Sequence, residues 1–376
     1  MPVKRLPENP SLVHLKYQAK DLLKEHAAQD PQAGQRIREF HPAFQKAADR
    51  DIFAARLSLS DAQLTIAREH GFPSWPRLKR HIERPTLADK LQLPHHERIE
   101  DARFRRAVEL LDAGDVAGLG AYLAQNPELS RQHVVFEGGN YFGNPTLLEF
   151  AAENPVRRGK LPKNIVEVAR TVIAAGADQA ALDGTLMLVA TGMVPRQCGV
   201  QAALIDLLCD HGARPDAASQ PAALHGEFKA LHALLGRGAK LDLPIAAALG
   251  RTEDAGRLLP QSSGLDRHLA LSLAADHGHV EIVRMLLDTG EDPNRYNPPG
   301  GHSHTTPLHQ AAGAGHEAVV RLLVERGARL DMKDILWQGT PAGWAEYGGK
   351  NEIAAYLREE EAKRGQGPHV RRDIIV

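Results

Sequence analysis

One two-helix unit recurs along most of this 376-residue chain, and a unit of that kind has few ways to fold. Its first half is small and apolar and ends at glycine. Its second half is an amphipathic stretch with paired leucines, usually ending near Gly-Ala. The clearest copies read LAADHGHVEIVRMLLDTG over 273–290 and TPLHQAAGAGHEAVVRLLVERGA over 306–328, and a third opens TPAGWAEYGG over 340–349. Thr306 and Thr340 lie 34 residues apart, as do Gly315 and Gly349, while Gly278 and Gly315 lie 37 apart. Looser copies precede them: one around Gly114, two at 146–178 and 185–216 that close on Gly176-Ala177 and Gly212-Ala213, and two shorter ones between 219 and 265. The count is about eight units, the first and last acting as caps. One unit alone cannot bury its apolar face, so neighbours must stack into a solenoid.

Each recurring position has a physical reason. Thr306 and Thr340 suit a helix N-cap, and Pro307 and Pro341 suit the first turn. Glycine between the helices supplies a positive φ that other residues resist. Alanines on the first helix let neighbouring units approach, and the Leu-Leu pair fills the space between them. Across Thr306-Pro307-Leu308-His309, Ala311-Ala312, Gly315-His316, Val319-Val320, Leu322-Leu323 and Gly327-Ala328 the chain resembles the ankyrin repeat. The resemblance is tight over 266–360 and looser over 105–265. It implies an all-α ankyrin-repeat solenoid that binds a protein partner through its connecting fingers and the first helices of the concave face, and it places His309 in hydrogen bonds to backbone and to the Thr306 hydroxyl.

Residues 11–83 lack the repeat. Leu12, Leu15, Ala19, Leu22 and Leu23 recur at helical spacing. The stretch from Ser60 to Ile82 reads as helix, glycine turn, helix, with Ser60 capping the first helix, Gly71 closing it and Ser74 capping the second. The expected organisation is a small helical domain at 1–90, a linker at 91–104, the repeats at 105–362 and a tail at 363–376. With its Gly71–Pro76 core, Gly-Phe-Pro-Ser-Trp-Pro, the first domain resembles the helical segment attached to bacterial ankyrin proteins. The alternative is a helix-turn-helix presenting Arg77, Lys79 and Arg80 to DNA. Trp75 flanked by two prolines suggests a packed corner instead of a groove reader.

Charge and composition narrow the function classes. The net charge is −1, divided into +4 over residues 1–100 and −5 over the remainder, too weak a field to imply nucleic acid. Two cysteines, Cys198 and Cys209, build neither a disulfide framework nor a zinc cluster. The first residues lack the apolar core of a signal peptide, and no apolar run of about 18 residues could span a membrane, so a soluble, cytoplasmic chain is expected, monomeric by default. No cofactor or metal is expected: His277 and His279 belong to the repeat turn, and His302 with His304 lacks a third ligand. The chain has no His-Glu-x-x-His, no Gly-x-Ser-x-Gly and no phosphate-binding loop. An enzyme or small-ligand pocket hidden in the solenoid groove stays open as a further alternative.

Departures from the repeat pattern carry the candidate surface. The connector from Gly290 to Thr306 is long and holds Pro298-Pro299-Gly300-Gly301, which suggests an extended tip reaching a partner. The connector from Arg329 to Gly339 places Trp337 in a turn. Two swollen helix–helix connections, 154–164 and 192–201, are expected side by side on the opposite edge, the first made basic by Arg157, Arg158, Lys160 and Lys163. A loop at 130–145 carries Phe136, Tyr141 and Phe142 among glycines. The candidate partner-binding residues are Tyr141, Phe142, Tyr296, His302, His304, Trp337, Trp344 and Tyr347. The short units at 219–265 leave no room for fingers, so an interrupted surface is expected there.

Overall fold

In a computed structural model the structure describes residues 4–7, 10–82, 90–138 and 141–365. The chain divides into two compact units, residues 1–93 and 94–376. Among the described residues both are helical, and the β-structure is one isolated bridge, His133 to Thr146.

The first unit holds helices Leu12–Ala27, Pro31–Phe40, Asp49–Ala54, Leu59–Glu69 and Trp75–Ile82. Leu15, Ala19 and Leu22 fall on one face and are buried with Ile37, Ile52, Ile66 and Leu78. The cap of the fourth helix is Ser58, not Ser60: Ser58 and Asp61 form a reciprocal capping box, which Ser60, already inside the helix, cannot do. Glu69 is buried and is met side-on by Arg36, Nε to Oε1 at 2.6 Å and Nη2 to Oε2 at 3.0 Å. That bidentate pairing raises the Arg36 pKa against the cost of its burial.

The second unit is a stack of eight two-segment repeats among the described residues. Their first segments are Ala102–Ala113, Leu148–Ala152, Gln179–Ala190, Asp216–Leu224, Leu243–Ala248, Gly264–Asp276, Pro307–Ala314 and Pro341–Tyr347, all α-helical except the 3-10 turn Leu148–Ala152. Their second helices are Val116–Gln125, Ile165–Ala174, Gln201–Asp210, Phe228–Gly236, Thr252–Leu258, Val280–Asp288, Glu317–Glu325 and Asn351–Gly365. Residues 94–104, read from sequence as linker, pack on this unit: Ile99 is buried in its core, and the first helix already begins at Ala102. At the other end, Arg364 donates to the carbonyls of Ala328 and Val324 at 2.8 Å each. Residues 366–376 of the expected tail lie outside the described residues.

At four junctions of the stack a side chain seats over the turn glycine of the repeat before. His279 Nε2 donates to Ala248 O at 2.9 Å and its ring covers Gly250. His316 Nε2 donates to Asp276 O at 2.8 Å and covers Gly278. Lys350 lies over Gly315 in the next pair, and Asn164 Nδ2 donates to Gly114 O at 2.9 Å in the first. The turn glycine is therefore required twice, for its positive φ (+80° at Gly278) and because a Cβ there would stand 2.6 Å from His316 Nδ1.

The apolar core is two clusters that meet at the fifth and sixth repeats. Ile245 and Ala248 of the fifth repeat belong to the first cluster, and Leu243, Ala246 and Ala247 of the same helix to the second. The preceding connector spans only 237–242, too short for a finger. The long connector after the sixth repeat folds back here: the turn 298–301 meets Leu269 and Ser272 of its own repeat, and Gly300 abuts Gln220 of the fourth. The extended, outward tip expected for Pro298–Gly301 is not present. Buried Asn297 and Thr305 close the loop at its base, Asn297 N donating to Thr305 O at 2.8 Å.

The interlock sets two expectations. Gly278→Ala should cost clearly more than Gly290→Ala in thermal unfolding. Gly290 has φ +89° with open space around it, so only the left-handed backbone penalty of about 1 kcal/mol applies there; equal losses would show that the His316 contact carries no weight. Acid should also loosen the later repeats. Burial, the largest influence in each case, lowers the pKa of His268, His279, His302 and His309. The unfolded chain binds more protons below the ordinary imidazole value of about 6.5, so this stability is complete above that pH and is lost as pH falls through it. Melting temperature against pH should decline over that window, and less so for His279→Gln, which keeps a donor to Ala248 O and does not titrate.

Candidate functional site

The best-formed site is built on one carboxylate. Asp334 opens the turn of the last connector and is fully buried. Its Oδ1 accepts from Leu336 N at 2.9 Å and Trp337 N at 2.7 Å, and its Oδ2 accepts from Gly339 N at 2.7 Å and Trp344 Nε1 at 3.1 Å. Asp334 N donates to Gly339 O at 2.9 Å, closing the loop on itself. Burial alone would raise the Asp334 pKa, but these donors outweigh it and hold the carboxyl below the usual carboxylate range. Among the described residues no Lys or Arg forms an ion pair with it.

This turn carries its apolar side chains outward. Ile335 is 56%, Leu336 61% and Trp337 68% exposed. They cannot collapse inward, because the space beneath them is taken by the carboxylate and its four donors. Trp344 and Tyr347 sit one turn apart on helix Pro341–Tyr347 and share a face. Trp344 is partly covered, whereas Tyr347 is 98% exposed. Asp334, Trp337, Gly339, Gly343, Trp344 and Tyr347 line an open cleft of ≈ 540 Å³. Thr306 and His309 brace its far wall: the Thr306 hydroxyl meets His309 Nδ1 at 2.8 Å, and His309 Nε2 donates to Gly339 O at 3.2 Å.

Most of the candidate residues read from sequence meet here. His302 and His304 rings are 6.0 Å apart, His304 lies 5.2 Å edge-on to Trp337 and 5.9 Å from Trp344, and Trp337 and Trp344 are 6.0 Å apart. Ile335 N donates to His304 O at 2.9 Å, tying the two connectors together. Tyr296 joins them at a second point, its hydroxyl donating to Lys333 O at 2.7 Å while its own carbonyl accepts from His268 Nε2 at 3.1 Å.

Tyr141 and Phe142 are placed elsewhere, at the first repeats. Phe142 is a buried ring packed with His95, Phe136 and Phe150, not the surface contact expected from sequence. The apolar excess of the early loop makes an internal plug. Tyr141 is exposed, and its hydroxyl donates to Asn154 Oδ1 at 2.7 Å. In the first unit, Arg77 and Lys79 are exposed on helix Trp75–Ile82, and the Arg80 side chain lies outside the described residues. Trp75 packs on that unit's own core.

The swollen connection 154–164 is less basic at its surface than its sequence suggests. Arg157 is 0% exposed at its side chain, pairs with Asp112 at 2.9 Å, and stacks 4.9 Å from the Phe150 ring centre. Glu153 Oε2 stands 2.8 Å from Arg157 Nη2, close enough to pair charge though off the hydrogen-bond axis, while Oε1 accepts from the backbone N–H groups of Arg157, Arg158 and Gly159. The arginine is an internal clamp between the first two repeats, whereas Lys160 and Lys163 remain exposed. The second connection, 192–201, forms a short helix, Met193–Gln197, and Arg196 pairs with Glu227 of the following repeat.

Sequence reasoning missed Asp334, Ile335 and Leu336. Asp334 had a signal, an Asp opening a turn that closes on Gly339. Ile335 and Leu336 had none, since apolar residues beside a tryptophan read as core. Among the described residues no group of three or more His, Cys, Asp or Glu side chains is placed to hold a metal ion.

A family model described as ankyrin repeats (3 copies) matches residues 222–334 and 271–367. Human cyclin-dependent kinase 4 inhibitor B is 34% identical over 137 residues, covering 29% of this chain and 96% of that protein. Cyclin-dependent kinase inhibitor 2A of Monodelphis domestica is 36% identical over 118 residues, covering 30% of this chain and 67% of the relative. Mouse ankyrin repeat and SAM domain-containing protein 6 is 35% identical over 103 residues, 27% of this chain but only 11% of that much longer protein. With the stacked helix pairs, the interlocked turn glycines and the Thr-Pro-Leu-His cap already described, these matches establish that the chain belongs to the ankyrin-repeat family.

Proposed function

We propose that this chain is a protein-interaction module whose partner-contacting surface lies at its last two repeats, on the connector 329–339, the base of the connector 291–305 and helix Pro341–Tyr347. The observation that carries the reading is the outward display of Ile335, Leu336 and Trp337, on a turn whose Leu336, Trp337 and Gly339 N–H groups are held by Asp334, beside Tyr347 on the following helix. Large apolar side chains held in water by a rigid frame bear a standing solvation cost, and binding recovers it with little loss of conformational entropy. His302, His304, Trp344 and Tyr296 supply the surrounding contacts. Two of the similar proteins are named as inhibitors of cyclin-dependent kinases, so their printed names describe action on another protein; the partner here is likewise a protein, and its identity is a separate question.

Among the described residues no helix is long and apolar enough to cross a membrane. We place the chain in the cytoplasm, in keeping with its two free thiols, Cys198 and Cys209, the first of which is exposed.

A photo-crosslinking residue at position 336, used in the native host, tests the surface. Adducts should form with the otherwise wild-type chain and disappear when Trp337 and Tyr347 are both changed to alanine, each substitution weakening capture by about 2 kcal/mol or more. Tyr141→Ala should leave capture unchanged. Retained adducts in the double variant, with an unchanged melting curve, would remove these residues from the interface.

A further inference from the structure

The cleft at the last repeat joins two features that an apolar contact patch does not need. Its walls are indole and phenol rings, and its floor is a carboxylate with no ion-paired cation among the described residues. Aromatic faces carry negative potential and attract cations. A buried anion without an ion-paired counter-charge adds to that field, offset in part by its four N–H donors. Gly339 and Gly343 keep the floor open, and a Cβ at Gly339 would stand 3.0 Å from Asp334 Oδ2.

The hydrogen-bond inventory decides which cation fits. A carboxylate has about four lone-pair directions, and four N–H donors already fill those of Asp334. A primary ammonium entering the cleft would find no free acceptor on that carboxylate and would have to hold its own water at the ring faces. A quaternary ammonium has no N–H to satisfy and loses nothing by the same contact. The volume, ≈ 540 Å³, far exceeds one trimethylammonium head, so an alkyl stem and a neighbouring group can enter with it. Ile335 and Leu336, exposed at the rim, offer apolar contact to flanking residues.

We propose that Trp337, Trp344 and Tyr347 over Asp334 form a receptor for a quaternary ammonium group, borne by a trimethylated lysine side chain of the partner protein. This rests on the reading of the last two repeats as the partner surface and adds the chemistry of the residue that anchors there.

The test is a titration of the full chain, without any partner, using Nα-acetyl-trimethyllysine methylamide followed by the trimethyl proton resonance. Binding over the ring faces should shift that resonance upfield. The uncharged carbon isostere, with a tert-butyl head in place of trimethylammonium, should bind roughly tenfold more weakly. Tyr347→Leu and Trp337→Leu keep apolar bulk at exposed positions and should each weaken the trimethylammonium probe while sparing the isostere. Equal binding of probe and isostere would make the cleft merely apolar and overturn the proposal, as would no binding of either. Choline binding as tightly as the lysine derivative would overturn the partner-borne assignment in favour of a small molecule. A failed titration beside intact crosslinking at position 336 removes the cation and leaves the interface standing; a positive titration with no crosslinked partner does the reverse.

Discussion

Everything in the repeat unit depends on one small contact made again and again. At four junctions a side chain at the start of the second helix, histidine in the better copies, lies over the turn glycine of the preceding repeat, and His279 and His316 donate to a backbone carbonyl there. Helix ends expose carbonyls that their own helix cannot satisfy. Stacking buries this edge, so those carbonyls need a donor from the neighbour. The glycine makes the approach sterically possible, and the imidazole makes it energetically neutral or better. Where histidine is absent, Lys350 occupies the same place and Asn164 performs the same bond with its amide. The solenoid is thus propagated by backbone satisfaction as much as by leucine packing.

This explains why the fold was legible in the sequence. Glycine followed by a donor, at a spacing near 34 residues, records a backbone requirement that no other residue meets, and the Thr-Pro-Leu-His cap records another. The glycine–donor pair is kept at Gly278-His279, Gly315-His316 and Gly349-Lys350 and the Thr-Pro start at 306 and 340, whereas the early copies are recognised by turn glycines, paired leucines and closing Gly-Ala steps such as Gly176-Ala177 and Gly212-Ala213. What was not legible was the direction of long connectors. Pro298–Gly301 has the composition of an exposed tip, yet it lies on its own and neighbouring helices because the fingerless fifth repeat leaves a flank to cover. Composition reports that a segment is irregular; the vacancy it fills is set by repeats tens of residues away.

The candidate site was legible in part, for the same reason. His302, His304, Trp337, Trp344 and Tyr347 converge because consecutive repeats present equivalent positions side by side, so residues at like places in the unit become neighbours. Phe142 and Arg157 misled because residue type alone does not distinguish an aromatic that seeks a partner from one that plugs a cap, or a surface cation from a clamp. Asp334 shows the converse. An ordinary turn aspartate becomes the organising element once a tryptophan from the next helix reaches it, and that bond joins residues ten apart whose meeting depends on the repeat geometry.

The divided core has a consequence for how the molecule responds to load. In a solenoid each repeat leans only on its neighbours, so cohesion along the stack is a chain of local interfaces and is limited by the weakest of them. Here that place is the fifth repeat, whose short helix shares its faces between two separate clusters. The back-folded turn at 298–301 bridges from the sixth repeat to Gln220 of the fourth and ties the seam from outside. Local opening of the stack is therefore expected to begin at this seam, where loss of the 298–301 contacts would let the later repeats move or unfold while the earlier ones keep their shape.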